Sequence, residues 1–512
     1  MALIDTDLQS VQEARILLER AVEAQRVLEG LPEPLIDGIL LQLGEKLPSC
    51  AAECARASVA ESDYGCAEDE EALVRWVLSD MLAEVRAETP ALRICTGSRA
   101  PEVALSKGVA VSLLPDWLSV PTLLSQLLCA VKSRSAIVFS ARPRAHAACA
   151  ELMRAVAEVA AACHYPLDAV GFLGTYAPEG ESWLVSQGAA RVVIEDREGS
   201  GPATLPAPPA GTDVYRASIG NNPAFVEATA DLAHAADEIV SGASFACGLL
   251  PGAEQSVVVE AAVADAFAAV LRARGCQFLS HEEGERLARV MFAPDGSPYP
   301  ELIGKTARDL AQRANIAVAE NCRVLVVERP YVSARSVLSG VKYGPVISLY
   351  VEENWRDACE KCIELILAGG QGNALAIFSR DPEVIEQFIV KKPVGRVLVN
   401  VSTGLGAIGW HADLPRTLTM TGWERATTSE LGVTYRDFIR HRQVGIGFTP
   451  EDARLLEEAR ACQGTCAIPA AAARESHPSA GASARAAAPE PHDSSDWFSR
   501  FLESVNTLGN EE

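Results

Sequence analysis

The chain is short of positive charge. Against 68 Asp and Glu it carries 45 Lys and Arg, a formal net charge of −23. A surface of that sign repels polyanions, which argues against nucleic acid and anionic membrane surfaces as partners. Long apolar runs are missing too, and none approaches the roughly 20 residues a membrane helix needs. The opening residues, MALIDTDLQSVQEARILLER, start acidic and have no apolar core, so no secretory signal is expected. Metal-ligand spacing is equally scarce. Cys359 and Cys362 make a CxxC, but inside a helical pattern and with no second pair to complete a zinc site. They read as half-buried small apolar residues, and no metal is expected. The 14 cysteines read as reduced thiols.

What is present is ordinary for a soluble globular protein: 48% apolar and 22% charged residues in 512. That length predicts two or three domains. Residues 8–60 and 69–87 have helical periodicity. From Val103 the pattern changes. KGVAVSLLP (107–115) reads as a strand, LLSQLLCAVKS (123–133) as a helix, SAIVFSA (135–141) as a buried strand and ARVVIED (190–196) as another. Strands alternating with helices predict βαβ units and a mainly parallel sheet, hence an open α/β nucleotide-binding fold. A second set of alternating segments runs from residue 354 to 410.

The stretch 242–260, GASFACGLLPGAEQSVVVE, reads as a loop entering a buried strand. It resembles the nucleophile loop of CoA-acylating aldehyde dehydrogenases, G-A-S-F-D-N-x-x-x-C-x-(A/S)-E-Q-S-V-x-V. Gly242, Ala243, Ser244, Phe245, Gly248, Ala253, Glu254, Gln255, Ser256 and Val257 fit without a gap. SRSAIVFSARPRAH (133–146) is similar to the family's T-R-N-x-I-x-F-S-P-H-P-R-A-K. SIGNNPAFVEATAD (218–231), KYGPVISLY (342–350) and residues 409–447 are similar to further family segments. The resemblance covers roughly residues 8–448. It implies an aldehyde dehydrogenase fold, with NAD(P) and CoA as the family's cofactor and acyl acceptor.

The same register places residues without the needed chemistry at the family's functional positions. The nucleophile slot is Pro251. The slot of the asparagine that donates to the oxyanion is Leu118. The glycine-rich turn near the cofactor begins here with Glu195, Asp196, Arg197 and Glu198, and carboxylates there would repel a pyrophosphate. The slot of the glutamate that holds the nicotinamide ribose is Val341. Ser140, Pro143, Gly344 and Pro345 remain as cofactor-contact candidates. Cys247 lies in the same loop, four residues before the slot, and is the alternative nucleophile. His411, His146 and Arg142 would matter only if the cleft served another chemistry.

Residues 467–493 are rich in Ala, Pro and Ser and read as a flexible linker. SSDWFSRFLESVNTLGNEE then reads as an amphipathic helix, with Trp497, Phe498, Phe501, Leu502 and Val505 on one face. Such a face calls for a docking partner. It resembles the encapsulation peptides that carry enzymes into bacterial microcompartments, so the expected location is the cytoplasm or such a compartment. The expected divisions are a nucleotide-binding-like domain at 1–236, a catalytic-like domain at 237–430 and an oligomerisation segment at 431–450. A short helix and linker follow at 451–493, and the terminal helix at 494–512. Two functional readings stand. In one, the fold is kept without its chemistry, and the chain is a structural, regulatory or scaffolding subunit in a homo-oligomer or with an active paralogue. In the other, it is an active acylating dehydrogenase that uses Cys247.

Overall fold

The computed structural model describes residues 5–88, 94–95, 102–197, 205–217, 219–333, 335–368, 373–422 and 427–445, with 449 and 454. The amphipathic face at 497–505 and most of the linker lie outside these residues. The helices and sheets described below belong to the unit Met1–Gly447.

Four helices open the chain: Thr6–Leu28, Glu33–Lys46, Pro48–Ser62 and Ala67–Trp76. The first is started by Asp5, whose carboxylate accepts from the amides of Asp7 and Leu8. It buries Ala14, Leu18, Ala21 and Leu28, a stripe at helical spacing. The second helix is tied to the sheet layer behind it by charge. Lys132 is 1% exposed and places its ammonium 2.8 Å from Glu33 and 3.2 Å from Asp37.

Two parallel sheets follow. The first runs in the order Val170–Phe172, Ile137–Ser140, Val109–Leu113, Ala190–Asp196, Asp213–Ala217. Chain order reverses on either side of Val109–Leu113, so the crevice beyond its carboxyl end is a topological switch point. The second has seven strands in the order Cys276–Leu279, Val324–Glu328, Val346–Glu352, Glu254–Glu260, Asn222–Val226, Ala374–Phe378, Arg396–Val399. The chain passes from one sheet to the other between Ala217 and Asn222. Val109–Leu113 and Glu254–Glu260 are buried along their whole length. That is the signature of parallel strands covered by helices on both faces, and it explains their unbroken apolar runs. A third, antiparallel sheet joins Ile94–Cys95, Glu102–Ser106 and Ile439–Gln443.

No helix among the described residues is long and apolar enough to cross a membrane.

The chain's late segment is fastened to the seven-stranded sheet by one buried cation. Arg396 is 4% exposed. Its guanidinium donates to the carbonyls of Leu431 at 2.6 and 2.9 Å, of Pro415 at 3.0 Å and of Ala407. No carboxylate bonds it among the described residues, and burial lowers its pKa to about 10 against smaller opposing pulls from Glu84 and Asp437. Planar donors meeting converging carbonyls are a job lysine cannot do. Arg396→Met strands those carbonyls, and each buried orphan costs about 1–3 kcal/mol. The variant should lose at least about 3 kcal/mol in urea denaturation followed by circular dichroism. An unchanged midpoint would mean that water replaces the guanidinium.

Candidate functional site

The helix Leu232–Ser244 leads into the nucleophile-like loop. Asp231 caps it through the amides of Ala233 and His234. A tight turn follows in which Ala246, Cys247 and Gly248 all have positive φ, at 50°, 54° and 76°. Left-handed backbone suits glycine and asparagine and costs other residues energy. The turn is held from outside: the amide of Ala246 donates to Asp69 at 2.7 Å. A Cβ on Gly248 would lie 2.6 Å from the carbonyl carbon of Gly344, so that approach requires glycine. Phe245 meets Trp410 edge-on at 5.6 Å, and Trp410 stacks on Trp76 at 5.4 Å. The loop thus sits between the helical opening, the 341–345 segment and the 403–410 segment.

Pro251 lies at the end of this loop, half-buried. Its carbonyl accepts from the amide of Gly220 and the side chain of Asn222, both at 3.1 Å. The ring offers no nucleophile, and proline has no N–H to donate. Three residues on, Glu254 opens the buried strand. Its Oε1 accepts from the amides of Thr403 at 2.6 Å and Gly404 at 3.4 Å. Its Oε2 has no protein partner and lies where a Cβ on Gly242 would fall. Burial pushes this carboxyl up to about 8. It is the perturbed acid nearest in sequence to the slot, and the motif gave it no role beyond a match.

Leu118 precedes the helix Ser119–Ser133, 4% exposed, with φ 53° and ψ 28°. Leucine rarely adopts that backbone, whereas asparagine tolerates it. The neighbouring Trp117 ring lies 6.1 Å from Tyr64 and 6.4 Å from Tyr343, which brings the 114–118 turn to the 341–345 segment. Leucine supplies no donor to an oxyanion.

Cys247 lines a cleft of about 530 Å3 with Cys66, Asp69, Ser244 and Arg323. Its thiol is 5% exposed. Burial, with Cys66 and Asp69 adding to it, pushes its pKa up to about 12, against a smaller opposing pull from Lys305. Reactive thiols sit in the opposite setting, electropositive and partly open.

The candidate cofactor residues do not converge on an open crevice. Glu195 and Asp196 are the last residues of a strand and not part of a turn. Glu195 pairs with Arg216 at 3.0 Å, and Asp196 accepts from Thr419 at 3.0 Å. Arg197 then reaches Glu181 and binds it with both terminal nitrogens. Glu181, 1% exposed, also accepts from Ser140 at 2.6 Å. Ser140 ends the strand on the far side of Val109–Leu113, so the Arg197–Glu181–Ser140 chain bridges the carboxyl end of the switch-point strand. A dinucleotide pyrophosphate would have to displace this network and face three carboxylates. Arg197 Nε is buried without a protein partner, and the turn after Arg197 lies outside the described residues. Pro143 is exposed in a turn. Gly344 and Pro345 pack on Gly248, and Pro345 borders the same cleft as Cys247. Val341 lines a separate cleft of about 590 Å3 with Phe292, Arg335 and Tyr343. His146 is engaged by the carbonyl of Leu173 at 3.0 Å, Arg142 by Asp116 at 3.1 Å, and His411 is exposed. Among the described residues no group of three or more His, Cys, Asp or Glu side chains is placed to hold a metal ion. The glycines at 199 and 201 lie outside the described residues.

Comparison with solved structures identifies the architecture. A probable aldehyde dehydrogenase of Listeria monocytogenes superimposes with a TM-score of 0.82 at 28% identity, over 88% of this chain and 100% of that one. The chain has the fold of an acylating aldehyde dehydrogenase. A propionaldehyde dehydrogenase from the Clostridium phytofermentans fucose utilisation bacterial microcompartment shares it, with a TM-score of 0.72 at 21% identity over 83% of this chain and 95% of that one. Relatives in sequence agree. The succinate-semialdehyde dehydrogenase (acetylating) of Clostridium kluyveri is 26% identical over 439 residues, 84% of this chain and 94% of its own. The bifunctional aldehyde-alcohol dehydrogenase AdhE of Escherichia coli is 24% identical over 406 residues, 78% of this chain. The match spans 45% of that bifunctional relative's length. No family model matches.

Glu254 gives a pH signature. With its pKa raised to about 8 in the fold, the folded state holds a proton that the unfolded chain releases in the ordinary carboxylate range. The stabilisation is complete below that range and is lost as pH rises through about 8. Glu70, also raised to about 8 by burial, contributes with the same sign. Glu254→Gln should therefore flatten, without abolishing, the fall in stability across this window. An unchanged pH profile of the urea midpoint would show that Glu254 is ionised throughout.

Proposed function

We propose that this chain is an aldehyde dehydrogenase-fold protein of the CoA-acylating type that has lost the family's chemistry and acts as a structural, regulatory or scaffolding subunit. The observation that carries the reading is Pro251. Acyl transfer in this family runs through a thiolate, and without one no covalent thioester forms. Three further features support it. Leu118 cannot donate to an oxyanion. Arg197 and Glu181 pair at the carboxyl end of the switch-point strand, where a pyrophosphate would have to compete with them. Val341 has no carboxylate for a ribose.

The subunit role rests on two surfaces. The strand Ile439–Gln443 pairs with Glu102–Ser106 on one side and has no strand partner on the other among the described residues. An open edge suits pairing with a second subunit, either a copy of this chain or an active paralogue. The apolar face of Trp497, Phe498, Phe501, Leu502 and Val505 suits a docking site on a microcompartment shell or its cargo. The fold shared with a microcompartment propionaldehyde dehydrogenase favours that setting within the cytoplasm.

One observation favours activity instead: Cys247 lines a cleft large enough for a small substrate. Assay of the purified protein with short aldehydes, CoA and NAD(P) separates the readings. The expected result is no NADH formation from well-folded protein, and no shift in melting temperature with NAD(P). Turnover abolished by Cys247→Ala would overturn the proposal and move the nucleophile. For the tail, deletion of residues 494–512 should leave the circular dichroism spectrum and melting temperature unchanged while abolishing co-purification with compartment components. Retained association would place the docking surface elsewhere.

A further inference from the structure

The CxxC of the sequence falls on the helix Trp355–Ala368, with Cys359 6% exposed and Cys362 fully buried. The helix Pro382–Lys391 packs with it in one core cluster against the seven-stranded sheet. Lys392 follows that second helix, 7% exposed. Its ammonium nitrogen lies 2.6 Å from Cys359 Sγ, 2.8 Å from the Cys359 carbonyl and 4.0 Å from the centre of the Phe388 ring. It forms no ion pair with a carboxylate among the described residues.

A lysine so far buried with no carboxylate beside it is unusual. A lone buried charge is costly, and the aromatic face and one carbonyl offset only part of that cost. The side-chain atom nearest the ammonium nitrogen is the Cys359 sulfur, so a sulfur and a nitrogen from two different helices meet at contact distance. Cys362 feels the same ammonium, which pulls its pKa down, but burial outweighs that pull and pushes the thiol up to about 12.

We propose that Cys359 and Lys392 are an oxidative modification site, at which a hydroperoxide joins the two helices through a sulfur–nitrogen bond. In the first step the thiolate attacks one peroxide oxygen and the O–O bond breaks. The departing hydroxide takes a proton from the Lys392 ammonium. The products are a sulfenic acid, a neutral amine and water. In the second step the amine attacks the sulfenic sulfur, the S–N bond forms, the S–O bond breaks, and the amine proton leaves with the oxygen as a second water. Sulfur is oxidised by two electrons and the peroxide is reduced by two. Sulfenic acids condense with nitrogen in this way when one is held close. Cys359 and Lys392 keep 6% and 7% of their surface exposed, and a small oxidant would have to enter through that opening. The link closes a loop of 33 residues through the strand Ala374–Phe378, so it restricts the unfolded chain and stabilises the fold.

The test uses the full-length protein with graded hydrogen peroxide, then digestion and mass spectrometry. The expected product joins the Cys359 peptide to the Lys392 peptide, with a mass two hydrogens below their sum. Dithiothreitol in urea should reverse it, and the melting temperature should rise by several degrees before reduction and fall back after it. The link should persist in Cys362→Ser, which removes the competing thiol, and vanish in Lys392→Arg, which keeps the charge. Recovery of Cys359 unlinked, or only as a disulfide with Cys362, or only as sulfinic or sulfonic acid, would overturn the proposal. The wild-type peptide map decides this even if a variant does not fold.

Discussion

The structure turns on how closely backbone approaches backbone around the nucleophile-like loop. A Cβ on Gly248 would strike Gly344, one on Gly252 the carbonyl of Thr403, and one on Gly404 the Cα of Gly242. These contacts fasten the loop to both of the segments that complete the cleft. None of them involves the side chain in the nucleophile slot. The scaffold is therefore insensitive to what stands at 251, so a fold of this kind can lose its nucleophile without losing its shape. Glu254 shows the same separation. Its carboxyl is spent on the amides of Thr403 and Gly404, which holds the loop's exit in place whatever happens at the slot.

The closed crevice of the first sheet follows a similar logic with charge in place of packing. A switch point in a parallel sheet is a natural anion site because strand ends and helix starts converge there. Here the chain supplies its own anion, Glu181, and its own cation, Arg197. The pair is buried, so each partner is needed to offset the other's desolvation. The network satisfies both terminal nitrogens of Arg197 and leaves its Nε without a protein partner. On the proposed reading this is what replaces dinucleotide binding, and it also ties three elements of the sheet edge together.

Much of this was legible in the sequence. Strand–helix alternation predicts the parallel sheets, and gapless local matches fix the register through 133–146 and 242–257. The slots at Pro251 and Leu118 rest on counting along the sequence alone. Other features depend on folding and could not be counted. Glu195 and Asp196 read as a turn facing a cofactor, but the strand continues through them and both are paired. Arg197 meets Glu181 only because the strand order reverses between them. Cys247 reads as a loop thiol, but two consecutive left-handed residues turn it inward among acidic neighbours, where burial protonates it. Lys392 and Cys359 belong to different helices, and only the sheet beneath them brings them into contact.

Leu118 separates what packing keeps from what chemistry keeps. Holding a leucine in left-handed backbone costs on the order of 1 kcal/mol relative to a residue that suits it. Local preference does not choose that conformation; the surroundings impose it. Trp117 wedged between Tyr64 and Tyr343, and a helix starting at Ser119, leave the chain no other path. A backbone that would favour an asparagine, filled by a residue that can neither donate nor accept, is hard to explain by a demand for stability alone. On the proposed reading, packing still dictates the turn while no chemistry any longer dictates the side chain.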